Sequence, residues 1–519
     1  MPFNLPLTPF RRLLAALTLV LGLGLGLTPG LQQAALADGA LPPPVALALG
    51  AAGIPATAVA IWAQPVDGQQ PVLTLNAGEP MNPASVMKLV TAFAAFERLG
   101  SAHTWRTRIA ASGTLRDGVL HGDLYLVGGA DPMLGQERLW KLLRRLRALG
   151  IERITGDIIL DASALRLPPH DPDAFDGRGL RPYNSGPHGL LLQYNTVLLG
   201  LFPGRAANEP VALAAEPPLA GVIIDNRILT SEAPCRLWYG DLQARLETGP
   251  RLVLSGSLPA ACGPRTWSAA PLPPADFGIA LVAGLWAEVG GRVDGRVRAG
   301  VLPAASGELL GDDSPPLADV VREMNKWSSN VIARQLLAAL GAQAALEPAP
   351  AQSAPAQNLS LPSADAPPPA RAAQRTTPDM VADGARSATA ALAAAGIDAT
   401  GLVIENGSGL SRIERIRADS LGQLLLAAWR RPWMPEFLAA LPLAGVDGTA
   451  RGRLAASPAR GHAHIKTGTL DGVRTMAGYL LDRHGRRHAV VMMVAHPEAA
   501  HSAAAQDALL EWLWANGAP

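Results

Sequence analysis

The chain has 519 residues, a formal net charge of +1 and 49% apolar residues. Its length accommodates two or three domains of roughly 100–200 residues each, and its apolar share supplies a large core. A charge this close to zero removes the electrostatic reason to expect a nucleic-acid partner, and none is expected.

The N-terminus reads as an export signal. Arg11 and Arg12 precede an apolar run over 13–27, and Ala35-Leu36-Ala37 offers a small-residue cleavage site, so 1–37 is read as a signal peptide cut after Ala37. A membrane anchor is the competing reading, but the run is Gly-rich and shorter than the about 20 residues a spanning helix needs. No second stretch is long enough to span, so membrane contact is expected to be at most peripheral.

Short strands are expected over 57–63 and 72–76. Asn82-Pro83 then opens a helix, because Asn suits an N-cap and Pro the first helical position. Leu89, Val90, Phe93 and Phe96 continue it at helical spacing until Gly100. Over 101–271 short β-like runs alternate with Gly, Pro and Asp turns, as at Gly122-Asp123-Leu124-Tyr125-Leu126-Val127-Gly128, with one helix between Gln136 and Leu149. This stretch reads as an inserted strand-rich module. Helical pattern returns at 277–289 and 316–340. Residues 343–376 are rich in Ala, Pro, Ser and Gln, a composition that buries too little apolar surface to order itself, and read as a flexible loop. A helix over 379–395 follows, then strands at 465–467, 475–481 and 488–495, and a closing amphipathic helix over 499–514.

The expected fold is therefore α/β, an antiparallel sheet flanked by helices. That domain combines 38–100 with 272–519 and is interrupted by the module at 101–271. Cys235 and Cys262 are the two cysteines. In an exported chain they suggest one disulfide, with two buried free thiols as the alternative.

Only four of the 44 basic residues are lysines, Lys88, Lys141, Lys326 and Lys466. Lysine can lose its proton when desolvated and arginine cannot. In Ser85-Val86-Met87-Lys88 the spacing of three places hydroxyl and amine on one helix face. The helix N-terminus adds free N–H groups and partial positive charge suited to an oxyanion, and an amine among cations or apolar groups can take the Ser proton. Alone, this pattern equally fits an ordinary helix Ser and a surface Lys. Ser328-Ser329-Asn330 interrupts a helical stretch beside Trp327 and offers a hydroxyl and an amide for a proton relay, or an ordinary turn. Lys466-Thr467-Gly468-Thr469 opens a strand. Its cation, hydroxyl and close-approach Gly suit an extended peptide ending in a carboxylate, or a simple Gly turn. His462, His464, His496 and His501 do not form a converging zinc set in the sequence.

Taken together, the order Ser-x-x-Lys, Ser-x-Asn, Lys-Thr-Gly is similar to the motif set of penicillin-binding proteins and active-site-serine β-lactamases. Gly129-Ala130-Asp131-Pro132-Met133-Leu134, Asn406-Gly407-Ser408-Gly409-Leu410-Ser411-Arg412 and Ala444-Gly445-Val446-Asp447-Gly448-Thr449 extend the likeness over nearly all of the chain after the signal. It resembles the class C low-molecular-mass penicillin-binding proteins, the D-alanyl-D-alanine carboxypeptidase/endopeptidases, which share a long insertion between the first two motifs. The resemblance implies a periplasmic enzyme acting on peptidoglycan stem peptides, inhibited by β-lactam antibiotics, without metal or cofactor. It implies that Ser85 is acylated, Lys88 is its base, Ser328 relays a proton and Asn330 positions Lys88 and the substrate amide. Lys466 and Thr467 would hold the terminal carboxylate, beside Gly468, and the N–H groups of Ser85 and Thr469 would form the oxyanion hole. The family usually shows Asp where Asn406 sits. A β-lactamase and a non-catalytic wall-binding protein on the same fold are the rival readings. The sequence does not distinguish carboxypeptidase from endopeptidase use and gives no oligomeric state.

Overall fold

The strand Arg487–Ala495 carries an unbroken buried apolar run from Ala489 to Val494. Such a run reads as a strand covered on both faces. In the computed structural model, which describes residues 40–304, 306–346 and 379–517, it lies at the centre of a five-stranded sheet. The order is Ala463–Leu470, Val473–Leu481, Arg487–Ala495, Val59–Pro65, Leu73–Leu75, antiparallel throughout.

Successive side chains leave opposite faces of a strand, which divides the core in two. Trp62, Tyr479, Val491 and Met493 face a layer containing the helices Met87–Leu99, Leu317–Trp327 and Ala418–Trp429. Ile61, Met476, Val490 and Met492 face the helices Pro43–Ala51 and Ala503–Asn516. Tyr479 pins one helix to the sheet by donating its hydroxyl hydrogen to the Leu425 carbonyl at 2.7 Å. The expected sheet from both chain ends, with helices on its faces, is thus the observed one. Pro43–Ala51, Ala418–Trp429 and Met434–Ala440 are helices the sequence reading did not anticipate. Ala418–Trp429 is buried on most sides, so it lacks the polar stripe that marks a surface helix.

The strand-rich layer is itself double. One five-stranded sheet runs Val297–Ala299, Ile158–Asp161, Leu124–Val127, Arg106–Ala111, Gly307–Asp313. Its core is shared with the helices Gln136–Ala148 and Pro274–Glu288. Two three-stranded sheets, within 197–269, enclose a separate core and carry a disulfide between Cys235 and Cys262. The expectation closed this module at 271. The strands between 292 and 313 pair with strands within 106–161. Arg292–Val293 and Val297–Ala299 are too short to show a period, and Gly307–Asp313 carries three acidic residues and two glycines, which hid them as strands.

The expected signal segment 1–37 lies outside the described residues, as does 347–376 of the Ala/Pro-rich stretch. Its first residues, 343–346, instead complete the helix Asn330–Leu346. Among the described residues no helix is long and apolar enough to cross a membrane.

Candidate active site

Ser85 lies in a short 3₁₀ turn, Ala84–Val86, directly before the helix Met87–Leu99. Asn82 therefore does not cap an α-helix that starts at Pro83, as the sequence suggested. Its Oδ1 accepts the N–H of Ala84 at 2.8 Å and its Nδ2 donates to the Ser411 carbonyl at 2.9 Å. Those bonds hold Ala84 at φ 45°, a left-handed conformation that costs an L-residue about 1–2 kcal/mol. Thr475, on the central sheet, donates to the Pro83 carbonyl at 2.6 Å. The turn is thus tied on one side to a loop and on the other to a strand.

Lys88, one turn on, has no solvent exposure. Its Nζ lies 3.1 Å from Ser85 Oγ, donates to Asn330 Oδ1 at 2.7 Å and also reaches the Ser408 carbonyl. Asn330 opens the helix Asn330–Leu346, and Ser408 belongs to the Gly-rich string 406–412. Burial, with Lys466 and Arg334 as like charges, pushes the Lys88 amine well below the ordinary lysine range, against the opposing pull of Glu414. A lysine so depressed can be neutral and accept a proton near neutral pH.

Ser328 caps the helix Leu317–Trp327 in the left-handed conformation, at φ 58°. This sharp reversal breaks the expected single helix in two and turns Ser328 Oγ toward the sheet. Lys466 Nζ donates to it at 2.9 Å and to the Thr467 carbonyl at 2.7 Å. Lys466 is also fully buried, and desolvation lowers its pKa to about 7. Thr467 Oγ1 lies 3.2 Å from Thr449 Oγ1, in the string 444–449, while Thr469 is exposed at the same edge.

Gly468 explains why the third motif needs glycine. A Cβ there would sit 2.8 Å from both the Ser85 amide nitrogen and the Pro83 carbonyl, and 2.4 Å from Thr475 Oγ1. Gly409 does the same from the opposite side, at φ +82°, where a Cβ would stand 1.9 Å from the Ala84 carbonyl. The Ser85 turn is clasped between two backbones.

Several contributors went unnoticed in the sequence. Buried Arg334, one turn after Asn330, donates to the Tyr183 and Ser185 carbonyls at 2.9 Å each, and Asn330 Nδ2 donates to the Tyr183 carbonyl at 3.3 Å. Residues 183 and 185 thereby reach the site through backbone atoms, which leave no side-chain signature. Glu414, with no exposure, accepts three loop N–H groups. Lys326, outside the three motifs, is 8% exposed and forms an ion pair with Asp447 at 2.6 Å. Asp447 also accepts the Leu443 N–H at 2.8 Å, so the string 444–449 is anchored behind the Ser328 turn. At the departure from family pattern, Asn406 Oδ1 accepts from Ser408 and its Nδ2 donates to the Leu410 carbonyl at 2.9 Å. A carboxylate could not make the second bond.

Known proteins share this arrangement of chain. The model of the D-Ala-D-Ala carboxypeptidase 3 (S13) family matches residues 46–365 and 370–516. The chain belongs to that family. It is a hydrolase, a serine-type D-Ala-D-Ala carboxypeptidase with a penicillin-binding-protein fold. It is 30% identical over 430 residues to the D-alanyl-D-alanine carboxypeptidase of an Actinomadura species, covering 78% of this chain and 72% of that one. It is 25% identical over 450 residues to the D-alanyl-D-alanine carboxypeptidase DacB of Haemophilus influenzae, covering 84% and 85%. The crystal structure of penicillin binding protein 4 from H. influenzae superposes with a TM-score of 0.70 at 23% identity, over 88% of this chain and 96% of that one. That protein has also been crystallised with a β-lactam. The family resemblance and fold expected from the motifs are those found.

Proposed function

We propose that the chain removes the terminal D-Ala from peptidoglycan stem peptides through an acyl-enzyme on Ser85, and that β-lactams acylate the same hydroxyl. The observation that carries this reading is the meeting of three motifs distant in sequence. Lys88 Nζ stands between Ser85 Oγ and Asn330, and Lys466 Nζ meets Ser328 Oγ.

In the proposed reaction, neutral Lys88 accepts the Ser85 hydroxyl proton as the oxygen bonds to the carbonyl carbon. The carbonyl electron pair moves onto its oxygen, which the amides of Ser85 and Thr469 receive. Collapse breaks the C–N bond, and a proton passed through Ser328 leaves with D-Ala. Lys466 and Thr467 hold the terminal carboxylate, Gly468 admits the peptide backbone, and water then releases the acyl group. The β-lactamase reading would require a base for that water. Glu414, the carboxylate whose charge acts on Lys88, is fully enclosed and does not meet that need.

The disulfide and the sequence of 1–37 together support export to the periplasm. The strand pairings support an inserted module running from 101 to about 313.

The test is Ser85→Ala, incubated with purified muropeptides and with a fluorescent penicillin. Loss of both the alanine-sized mass change and the covalent label is expected. Retention of either by the folded variant removes Ser85 from its role.

A further inference from the structure

The string that supplies the Ser408 carbonyl to Lys88 belongs to no helix or strand. Glu414 holds it in place. One of its carboxylate oxygens accepts the N–H groups of Glu405, Asn406 and Gly407 at 3.2, 3.0 and 2.9 Å. The Glu414 N–H in turn donates to Ser411 Oγ at 3.0 Å. The other oxygen, Oε2, is buried and has no hydrogen-bond partner among the described residues. A buried carboxylate oxygen left without a donor is costly, so it needs an electrostatic reason to stay.

The surrounding charges provide one. Lys88 on the helix Met87–Leu99, Arg334 on the helix Asn330–Leu346 and Lys466 on the strand Ala463–Leu470 are all buried. Glu414 acts on Lys88 and Arg334, and Lys466 acts on Lys88. Glu405, the other carboxylate acting on Arg334, is exposed. Burial pushes the Glu414 carboxyl upward, while the three loop N–H groups and Lys88 pull against it. Two buried basic groups, Lys88 and Arg334, thus share one buried carboxylate.

We infer that Glu414 is a positioning residue and the internal counter-charge of Lys88. It fixes the loop so that the Ser408 carbonyl meets Nζ, and it stabilises the ammonium formed when Lys88 takes the Ser85 proton. The inference rests on Lys88 being the base. A neutral amide would accept the same three N–H groups, so a purely structural staple would not need the charge. The depressed Lys88 amine, on which Glu414 pulls upward, makes the difference measurable.

The experiment is the rate of acylation by a fluorescent penicillin against pH, on the full chain, for wild type, Glu414→Gln, Glu414→Asp and Ser411→Ala. Without the negative charge Lys88 stays neutral to lower pH, so Glu414→Gln should move the acid limb down by about one unit. The weaker base should lower the plateau rate about tenfold. Glu414→Asp keeps the charge and should hold the wild-type limb. Ser411→Ala removes hydrogen bonds from the same loop without changing charge, and its limb should not move. Should Glu414→Gln lack a cooperative melting transition, the smaller amide of Glu414→Asn takes its place with the same expectation. An unmoved limb in the folded amide variant, or an equal shift in Ser411→Ala, overturns the counter-charge. If wild type is unlabelled at every pH, or Ser85→Ala is still labelled, the reading of nucleophile and base fails instead.

Discussion

Two lysines of the site are completely buried, yet their surroundings equip them differently. Lys88 is met by a hydroxyl, a side-chain amide and a loop carbonyl, with Glu414 behind the loop. Lys466 meets one hydroxyl and one carbonyl, and desolvation alone sets its pKa. Burial alone therefore does not define a role. At Lys88 the hydroxyl is only one turn away on the same chain segment, which suits the proton exchange proposed for it. At Lys466 the amine stands on an edge strand, beside Thr467 and the glycine packed against the Ser85 turn, which suits the charge-presenting role proposed for it.

The sharpest way to break this contrast is to exchange each lysine for arginine. Arginine keeps the charge and cannot serve as a base. Lys88→Arg should slow acylation by a fluorescent penicillin about 10³-fold, within the range that loss of a general base produces. Lys466→Arg should slow it about tenfold, because the carboxylate still finds a cation. Comparable losses in the two variants, measured by stopped-flow labelling, would show that the lysines do not divide the work in this way.

Gly468→Ala tests whether the surroundings of the two lysines must touch. The added methyl would meet the Ser85 amide and the Pro83 carbonyl, both in a turn already pinned by Thr475 and Asn82. Overpacking of this kind costs about 1–3 kcal/mol. The expected result is a melting temperature lower by several degrees and acylation slowed by about 100-fold, one displaced turn accounting for both. Wild-type kinetics in a variant that melts early would separate the fold of the turn from its chemistry.

Much of the site was legible because its side chains carry chemistry in short strings. A scarce lysine three residues from a serine, a Ser-x-Asn inside a helical pattern and Lys-Thr-Gly at a strand start are local signals. What was missed was carried by backbone or by distance. The Tyr183 carbonyl receives Arg334 and Asn330, and the Ser408 carbonyl receives Lys88; carbonyls belong to every residue and mark none. Glu414 stands just past the Gly-rich string, in Ile413-Glu414-Arg415, a setting that looks like an ordinary polar loop. Only folding shows it enclosed. Some strands were obscured in a similar way. Strands of two or three residues such as Arg292–Val293 and Val297–Ala299 are too short to show a period, and only their partners across the sheet define them.

The smallest expected effect concerns stability, and it separates the two functions of Lys466 cleanly. Its amine has a pKa of about 7 in the fold, set by desolvation, against about 10.4 for a free lysine. Between those values the unfolded chain binds more protons than the folded one, so stability rises with pH across that window. Below about pH 7 the cost of enclosing the charge is present in full, and it is relieved as pH climbs toward the unfolded value. Lys466→Met fills similar space without a charge. It gives up the bonds to Ser328 Oγ and the Thr467 carbonyl, which offsets part of the gain. The variant should therefore melt about 2–4 °C above wild type at about pH 6, with the gap narrowing by about pH 9, while losing its hold on substrates that end in a carboxylate. Thermal melts at the two pH values measure the first, and the KM for a D-Ala-D-Ala peptide measures the second. A gap that stays constant with pH would mean that Lys466 is not held against its own charge, and that its contrast with Lys88 lies in its partners alone.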